Sequence, residues 1–278
     1  MFTTLVSPAQ LAAHLDDPRW IVFDCRFDLA DTNAGRREYT QSHLAGARYA
    51  HLDEDLAGAR TGTNGRHPLP DPDKFSEKLA AFGLSKGMQA VAYDASGGFY
   101  AARLWWMLRW VGHVQAAVLD GGWKAWLAAG LPVTVHLPVA TAGDFSGTAN
   151  DLTVDVDFML SRIGQAGDLV IDARSPDRFR GENETLDPVG GHIPGATNRF
   201  FKDNLASDGS FRPAAELRSE FATLIGATSP QRVVHQCGSG VTACHNLLAM
   251  EIAGLTGSKL YPGSWSEWCS DSKRPIAR

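Results

Sequence analysis

The sequence has few cysteines, no long uncharged hydrophobic run and no excess of positive charge. Its 278 residues include four cysteines, and no two of them are spaced as Cys-x-x-Cys. This pattern argues against a disulfide framework and against a structural zinc site. No stretch approaches the roughly 18 uncharged apolar residues of a transmembrane helix. The net charge of −5 argues against nucleic acid as a partner, because phosphate binding requires a basic surface.

The amino terminus has no basic region and soon carries charge, so it does not resemble a secretory signal peptide. Together with the few cysteines, this favours a reducing cytoplasm and no association with a membrane. The chain is 44% hydrophobic and 21% charged, which is typical of folded globular proteins rather than of disordered or membrane proteins.

Four pairs of similar segments occur in the same order along the chain. The pairs are 21–28 with 169–177, 43–47 with 192–196, 90–104 with 233–247, and 119–126 with 260–268. Four ordered matches indicate a duplicated domain whose copies differ in loop length. The third pair places Asp94 opposite Cys237, so only the second copy has a cysteine at this position.

The segment 131–151 contains proline, glycine and small polar residues without a helical pattern, which predicts an extended linker. We therefore place the first domain at 1–140 and the second at 150–278. In both halves, short apolar runs alternate with longer helical patterns. This alternation predicts an α/β fold in which each domain has a mostly parallel sheet with helices on both faces. Ligands of such sheets bind beyond the carboxyl ends of the strands.

The segment around Cys237 predicts the functional site, because an apolar strand leads directly into this cysteine. The loop that follows consists of Gly238, Ser239, Gly240, Val241, Thr242 and Ala243. The glycines let the backbone turn so that its N–H groups point inward, and the following helix adds the positive end of its dipole. A thiol in such a loop is expected to ionise readily, and the thiolate is the nucleophilic form. We predict that Cys237 is a nucleophile and that Cys25, Cys244 and Cys269 are buried packing residues.

The motif CGSGVTA at 237–243, with RFRG at 178–181, GHIPGA at 191–196 and the duplication, resembles the two-domain rhodanese family of sulfurtransferases. The resemblance covers nearly the whole chain. It implies two tandem rhodanese-like domains, of which the first has lost the cysteine and the second is catalytic. Asp94, at the position of the missing cysteine, fits this pattern.

The resemblance also implies a two-step transfer of sulfur. The Cys237 thiolate attacks the outer sulfur of a donor and forms a persulfide, which the N–H groups of the loop stabilise. The sulfur then passes to cyanide, a small thiol or thioredoxin. Ser239 is implied to form a hydrogen bond with the donor or the thiol. This chemistry needs no metal ion and no organic cofactor.

The composition of the loop bears on the donor. Family members that prefer thiosulfate carry two basic residues after the cysteine, which suit a dianion, whereas this chain has Gly238 and Ser239. The loop is instead similar to that of 3-mercaptopyruvate sulfurtransferases. We therefore expect 3-mercaptopyruvate as the donor and keep thiosulfate as the alternative.

The resemblance places a carboxylate-binding arginine at Arg178, and a planar guanidinium suits a carboxylate. Members that use 3-mercaptopyruvate have a second arginine before GHIPG. The segment 184–188 of this chain has no basic residue, so Arg180 is the candidate to replace it in binding the substrate. The resemblance also implies that His43 is a candidate for the substrate site, through a polar relay to Ser239.

Asp172 and Arg174 repeat Asp24 and Arg26 of the first half. A feature that both halves share is expected to be structural, because only one half has the cysteine. The repeat therefore predicts an ion pair that supports the loop. The tryptophans of segment 260–268 are candidates to line the donor site.

Two other classes of protein compete with this prediction. A cysteine phosphatase on the same fold needs Cys-x5-Arg to hold phosphate, but the residue at the required position is Ala243. A non-catalytic binding or sensor module is the second alternative. Such modules usually lose the cysteine that is present here as Cys237.

Overall fold

A computed structural model describes residues 1–139, 141–165 and 167–278. The predicted end of the first domain, residue 140, lies outside these residues. The chain divides into two compact units. The first unit consists of Met1–Gly58, Leu69–Asp151 and Ser207–Phe211, and the second consists of Ala59–Pro68, Leu152–Ala206 and Arg212–Arg278. The short segment Ala59–Pro68 therefore belongs with the half of the chain that contains Cys237.

Among its described residues, the first unit contains five strands. They are β1 (Leu5–Val6), β2 (Trp20–Asp24), β3 (Arg48–Tyr49), β4 (Gln89–Tyr93) and β5 (Ala116–Leu119). All neighbours pair in parallel, in the order β1-β5-β4-β2-β3. Every residue of β4 and β5 is buried, because a central strand of a parallel sheet is covered on both faces. This burial explains their apolar sequences, in which Gln89 at the start of β4 is the one polar residue.

Within the described part of this unit, five α-helices accompany the sheet. They are α1 (Pro8–Ala12), α2 (Ala34–Gln41), α3 (Pro72–Ala81), α4 (Phe99–Trp110) and α5 (Gly122–Ala128). Capping side chains fix two of the helix starts, since Ser7 and Asp71 each accept hydrogen bonds from N–H groups of the first turn. The helix α4 is almost completely buried and packs on β4 and β5, in agreement with its apolar sequence.

The second unit repeats the plan with four strands and five helices among its described residues. The strands are β6 (Leu169–Asp172), β7 (Thr197–Asn198), β8 (Val233–Gln236) and β9 (Lys259–Leu260). The helices are α6 (Val156–Arg162), α7 (Pro176–Phe179), α8 (Ala214–Ile225), α9 (Ala243–Ile252) and α10 (Ser264–Trp268). The strands are parallel, in the order β7-β6-β8-β9. Cys237 follows β8 directly and therefore lies at the carboxyl end of a central strand.

The predicted α/β fold with parallel sheets and helices is confirmed. The long strands and helices lie where the apolar runs predict them. Short elements such as α2, with the polar sequence AGRREYTQ, give no apolar pattern and were not predicted. Within the part of the chain that the structure describes, no helix has the length and apolar character needed to cross a membrane.

The predicted ion pair between Asp172 and Arg174 is present, and Asp24 and Arg26 repeat it in the first unit. In both pairs the arginine Nη2 lies 2.6 Å from the aspartate Oδ2, and all four side chains are buried. Arg174 Nη2 also donates to the carbonyl oxygen of Gly191 at 2.7 Å. The pair thus fastens the end of β6 to the turn that begins GHIPGA.

Candidate active site

The loop 237–242 joins β8 to α9 and keeps its cysteine buried. Cys237 is 2% exposed. Gly240 has a φ of +76°, which favours glycine. A Cβ atom at Gly240 would also lie only 2.5 Å from the carbonyl oxygen of Pro262. The sequence therefore needs glycine at this position both for the turn and for the close approach of the neighbouring chain.

The start of α10 holds the cysteine loop in place. The N–H of Cys237 donates to Ser264 Oγ at 3.1 Å. In return, the N–H groups of Trp265 and Ser266 donate to the carbonyl oxygens of Cys237 and Gly238 at 3.0 and 2.9 Å. Ser264 has a φ of +53°, an uncommon conformation for a residue other than glycine. The loop is thus tied to a second element through its backbone.

The corresponding loop of the first unit shows what such a backbone binds. The carboxylate of Asp94 is completely buried. It accepts hydrogen bonds from the N–H groups of Ser96, Gly98, Tyr100 and Ala101 at 2.7 to 2.9 Å. Burial raises the pKa of Asp94, and these hydrogen bonds oppose that shift. The first loop therefore surrounds an acidic group with backbone donors.

In the second unit, Ser239, Val241 and Ala243 occupy the positions of three of these donors. The N–H of Ser239 donates to Cys237 Sγ at 3.5 Å. The residue at the fourth position, Cys244, instead donates its N–H to the carbonyl oxygen of Val241 at 3.1 Å. The second loop thus places a thiol where the first places a carboxylate, with a backbone donor directed at the sulfur.

A histidine that the sequence did not predict lies beside Ser239. Nδ1 of His67 is 2.8 Å from Ser239 Oγ, and both residues are buried. His67 belongs to the segment Ala59–Pro68, and the contact joins residues 172 positions apart in the chain. A buried imidazole that shares a hydrogen bond with a hydroxyl next to a reactive thiol can accept and return a proton.

His43 has a different environment from the predicted one. Its Nδ1 lies 2.7 Å from the carbonyl oxygen of Tyr39, and its Nε2 lies 3.2 Å from that of His136. The ring is completely buried and stacks on Tyr39. Both ring nitrogens thus face backbone oxygens of the first unit. The histidine that contacts Ser239 is His67, so the structure points to His67 rather than His43 as the relay.

Two arginines lie over the cysteine loop at Gly238. A Cβ atom at Gly238 would be 2.8 Å from Nη2 of Arg66 and 3.5 Å from Nη2 of Arg178. Glycine therefore leaves room for both guanidinium groups. Arg178 lies on α7, and Arg66 directly precedes His67. The backbone N–H of Arg66 donates to Ser266 Oγ at 3.0 Å, which holds this residue beside α10.

Arg66, rather than Arg180, lies beside Arg178 near the loop. The side chain of Arg180 is 53% exposed, because it leaves the end of α7 and pairs with Glu182. Its Nε and Nη2 donate to the Glu182 carboxylate at 3.1 and 2.8 Å. The structure therefore points to Arg66, not Arg180, as the second arginine near the loop.

Two buried carboxylates contact the arginine pair. Glu184 accepts hydrogen bonds from Nε and Nη2 of Arg178 at 3.0 and 2.9 Å. Asp187 forms an ion pair with Arg66 and lies 3.4 Å from Nη2 of Arg178. Burial opposes ionisation of Glu184, but the hydrogen bonds outweigh it and lower the pKa. At Asp187 burial dominates and raises the pKa. With all four groups ionised, the cluster has no net charge.

Trp265 and Trp268, which were expected to line the donor site, are completely buried. Their Nε1 groups donate to the carbonyl oxygens of Val189 and Pro275 at 2.8 and 2.9 Å. The ring of Trp265 lies 4.8 Å from the guanidinium of Arg174. These tryptophans therefore belong to the core, where Trp265 supports the buried ion pair.

The remaining cysteines are buried, as predicted. Burial raises the pKa of Cys25, and it raises the pKa of Cys269 to about 11. Cys244 is completely buried and directs its thiol to the carbonyl oxygen of Gly240 at 3.3 Å. Across the described residues, no group of three histidine, cysteine or acidic side chains is arranged to hold a metal ion.

Comparison with known proteins identifies the class of protein. The family model described as the rhodanese-like domain matches residues 7–129 and 155–271. The chain belongs to this family and contains two copies of its domain.

Named relatives match the chain along nearly all of its length. A Pseudomonas aeruginosa protein named "Probable 3-mercaptopyruvate sulfurtransferase" is 47% identical over 98% of this chain and 97% of its own. Thiosulfate sulfurtransferase of Mus musculus is 33% identical over 96% of this chain and 92% of its own. The structure of 3-mercaptopyruvate sulfurtransferase from Leishmania major has a TM-score of 0.87 at 32% identity, covering 99% of this chain and 76% of that chain. The predicted family and two-domain fold are confirmed, and these relatives carry the names of the predicted enzyme class.

Proposed function

We propose that this chain is a sulfurtransferase that takes sulfur from 3-mercaptopyruvate and carries it as a persulfide on Cys237. The observation that carries this proposal is the position of Arg66, Arg178 and the hydrogen-bonded Ser239 and His67 around the cysteine loop. The arrangement combines a nucleophile, Cys237, with two further parts. Arg66 and Arg178 form a carboxylate clamp, and Ser239 and His67 form a proton relay. Relatives named for 3-mercaptopyruvate and for thiosulfate support the class of reaction.

In the first half-reaction, the Cys237 thiolate attacks the sulfur of 3-mercaptopyruvate. A sulfur–sulfur bond forms and the carbon–sulfur bond breaks, so its electron pair leaves on carbon as the enolate of pyruvate. The proton of the donor thiol is transferred to this enolate, which releases pyruvate. We assign the transfer of that proton to Ser239 and His67, because they share a hydrogen bond beside the cysteine. Backbone N–H groups of the loop stabilise the negative charge on the persulfide.

The clamp favours a donor that carries a carboxylate. The guanidinium groups of Arg66 and Arg178 can each donate to a carboxylate placed over Gly238. Glu184 and Asp187 neutralise the two arginines, so a dianion such as thiosulfate meets no net positive charge. We therefore propose 3-mercaptopyruvate as the first donor and thiosulfate as the second.

In the second half-reaction, an acceptor attacks the outer sulfur of the persulfide and the Cys237 thiolate is restored. Cyanide, a small thiol and thioredoxin are the proposed acceptors, because each supplies a nucleophile for that sulfur. All four cysteines lie within the described residues and are thiols. Thiols that persist without disulfides fit a reducing compartment, and we propose the cytoplasm.

Initial rates with 3-mercaptopyruvate and with thiosulfate, measured side by side with cyanide as acceptor, test this function. We expect faster turnover of 3-mercaptopyruvate, and peptide mass spectrometry should find one added sulfur on Cys237. Cys237→Ser should abolish both signals. Cys244→Ser, which removes a neighbouring thiol of the same segment, should keep both.

The outcomes separate the candidate functions. Faster turnover of thiosulfate would keep the sulfurtransferase mechanism and reassign the donor. Sulfur found on Cys244 would contradict the assignment of the nucleophile. Turnover of neither donor, with no sulfur on Cys237, would refute the enzyme and favour a binding or sensor module.

A further inference from the structure

Asp187 places a carboxylate on the two arginines that the donor is proposed to use. Its side chain is 3% exposed. Oδ1 forms an ion pair with Nη1 of Arg66, and Oδ2 lies 3.4 Å from Nη2 of Arg178. A carboxylate that bridges two guanidinium groups matches the carboxylate of an α-keto acid in charge and in hydrogen-bond acceptors. A side chain of the protein thus contacts the same guanidinium groups that a donor carboxylate would use.

The contacts of Glu184 allow Asp187 to leave without loss of the clamp. Glu184 holds Arg178 through two hydrogen bonds, so Arg178 keeps its orientation when Asp187 withdraws. Glu184 Oε1 also accepts hydrogen bonds from the N–H groups of Leu186 and Asp187 at 2.9 and 3.2 Å. The backbone of the turn is therefore fixed independently of the Asp187 side chain.

We propose that Asp187 sets donor selectivity: its carboxylate contacts both arginines of the clamp and competes there with the carboxylate of the donor. This inference rests on the proposed function. When a donor with a single negative charge binds, its carboxylate replaces that of Asp187 at the clamp, and this exchange changes the electrostatic free energy little. A dianion is disfavoured more strongly, because its second charge meets the displaced carboxylate of Asp187.

Coulomb's law gives the size of the effect. Removal of the Asp187 charge leaves Arg66, Arg178 and Glu184 with one net positive charge. At a separation of about 6 Å and an effective dielectric constant of about 40, each negative charge of a ligand gains roughly tenfold in affinity. A singly charged ligand should therefore bind about tenfold more tightly, and a dianion about a hundredfold more tightly.

Asp187→Asn is the test variant, because it removes the charge and keeps the size of the side chain. Glu182→Gln is the matched control: it makes the same charge change in the same segment, at a side chain that is 56% exposed and paired with Arg180. We expect Asp187→Asn to lower KM about tenfold for 3-mercaptopyruvate and about a hundredfold for thiosulfate. Glu182→Gln should leave both KM values near those of the unmodified chain.

A second readout does not depend on turnover. Calorimetric binding of pyruvate and of thiosulfate to the Cys237→Ser form, with and without Asp187→Asn, tests the role of Asp187 even if the proposed transfer reaction fails. Tighter binding of both ligands, with the larger gain for thiosulfate, would support the proposal. Weaker binding would show that Asp187 holds the arginines in place, and equal binding would show that its charge is not felt at the clamp. Either result overturns the proposal. If Asp187→Asn does not fold, Asp187→Ser removes the same charge and is measured in the same way.

Discussion

The duplicated ion pair allows structural support to be measured separately from donor binding. Asp172→Asn removes the negative charge that faces Arg174. Oδ1 of Asp172 accepts from the backbone N–H and Nε of Arg174 at 2.9 and 3.1 Å, and Oδ2 accepts from Nη2 at 2.6 Å. Asp24→Asn makes the same change in the first unit, where the distances to Arg26 are 3.0, 3.0 and 2.6 Å. Each variant is therefore the control for the other.

The burial of the two arginines sets the expected loss of stability. Their side chains are 1% exposed in the second unit and 4% exposed in the first. Removing one partner of a buried ion pair costs about 3–5 kcal/mol, because it leaves a buried charge without compensation. Arg174 retains Glu184 at 3.6 Å, which is 4% exposed, whereas Arg26 retains Glu38 at 3.9 Å, which is 55% exposed. We therefore expect losses of about 3 kcal/mol in the second unit and about 4 kcal/mol in the first.

Urea unfolding measures both losses. Six of the eight tryptophans lie in the first unit, so fluorescence reports mainly on that unit, and far-ultraviolet circular dichroism reports on the whole chain. The free energy of unfolding should fall in the fluorescence transition of Asp24→Asn. For Asp172→Asn the loss should appear chiefly by circular dichroism. A loss below about 0.5 kcal/mol in either variant would refute the structural role of the pair.

Asp172→Asn should in addition weaken donor binding. Arg174 lies next to Glu184, and Glu184 orients Arg178. We expect KM for the donor to rise about fivefold, which corresponds to about 1 kcal/mol. Asp24→Asn should leave this KM nearly unchanged at a temperature where both variants are folded. Equal increases in the two variants would contradict a link from the ion pair to the arginine clamp.

Three further predictions follow from the contacts of the second unit. His67→Gln and Ser239→Ala should each lower kcat about a hundredfold with little change in KM, because both residues act on a proton. The double variant should lose no more activity than either single variant. Steady-state kinetics that show only a rise in KM would contradict the relay. Arg66→Gln should raise the KM for 3-mercaptopyruvate on the order of thirtyfold, because a charged hydrogen bond is lost. Arg180→Gln should leave this KM unchanged. Equal changes of KM in the two variants would remove Arg66 from the clamp. Burial lowers the pKa of His235 from 6.5 to about 3, so its neutral form gives stability that is complete above pH 6.5 and is lost as the pH falls toward 3. His235→Gln should reduce the loss of unfolding free energy between pH 7 and pH 4 by about 3 kcal/mol, and an unchanged pH dependence in urea unfolding would exclude this contribution.

The central elements of the fold were predictable because they are buried on all sides. Such burial demands long apolar runs, and these runs mark β4, β5 and α4 in the sequence. The cysteine loop was predictable for a related reason, since a strand end, two glycines and a helix start are adjacent in the chain. Short polar helices such as α2 depend on tertiary contacts, so their own residues give no periodic signal.

Arg66 and His67 could not be predicted because no local pattern shows that the segment Ala59–Pro68 packs with the second half of the chain. The one signal available was that both residues lie outside the four repeated segments. The comparison of the two repeats also argues against a catalytic role for His43, because His192 lies at the matching position of the second repeat. Nδ1 of each histidine faces a carbonyl oxygen of the preceding helix, as expected for a shared structural feature.

The two loops indicate that side chains outside the loop contribute to the selectivity of the proposed site. The loop of Asp94 directs four backbone donors at a carboxylate, and the loop of Cys237 directs the backbone N–H of Ser239 at the sulfur. Backbone donors of this kind respond to negative charge and do not distinguish a carboxylate from a persulfide. We therefore expect discrimination among donors to depend on Arg66 and Arg178, which approach the loop from other segments, and on Asp187, which contacts both arginines. A change of donor should accordingly be reached through substitutions at these three residues more readily than through substitutions in the loop.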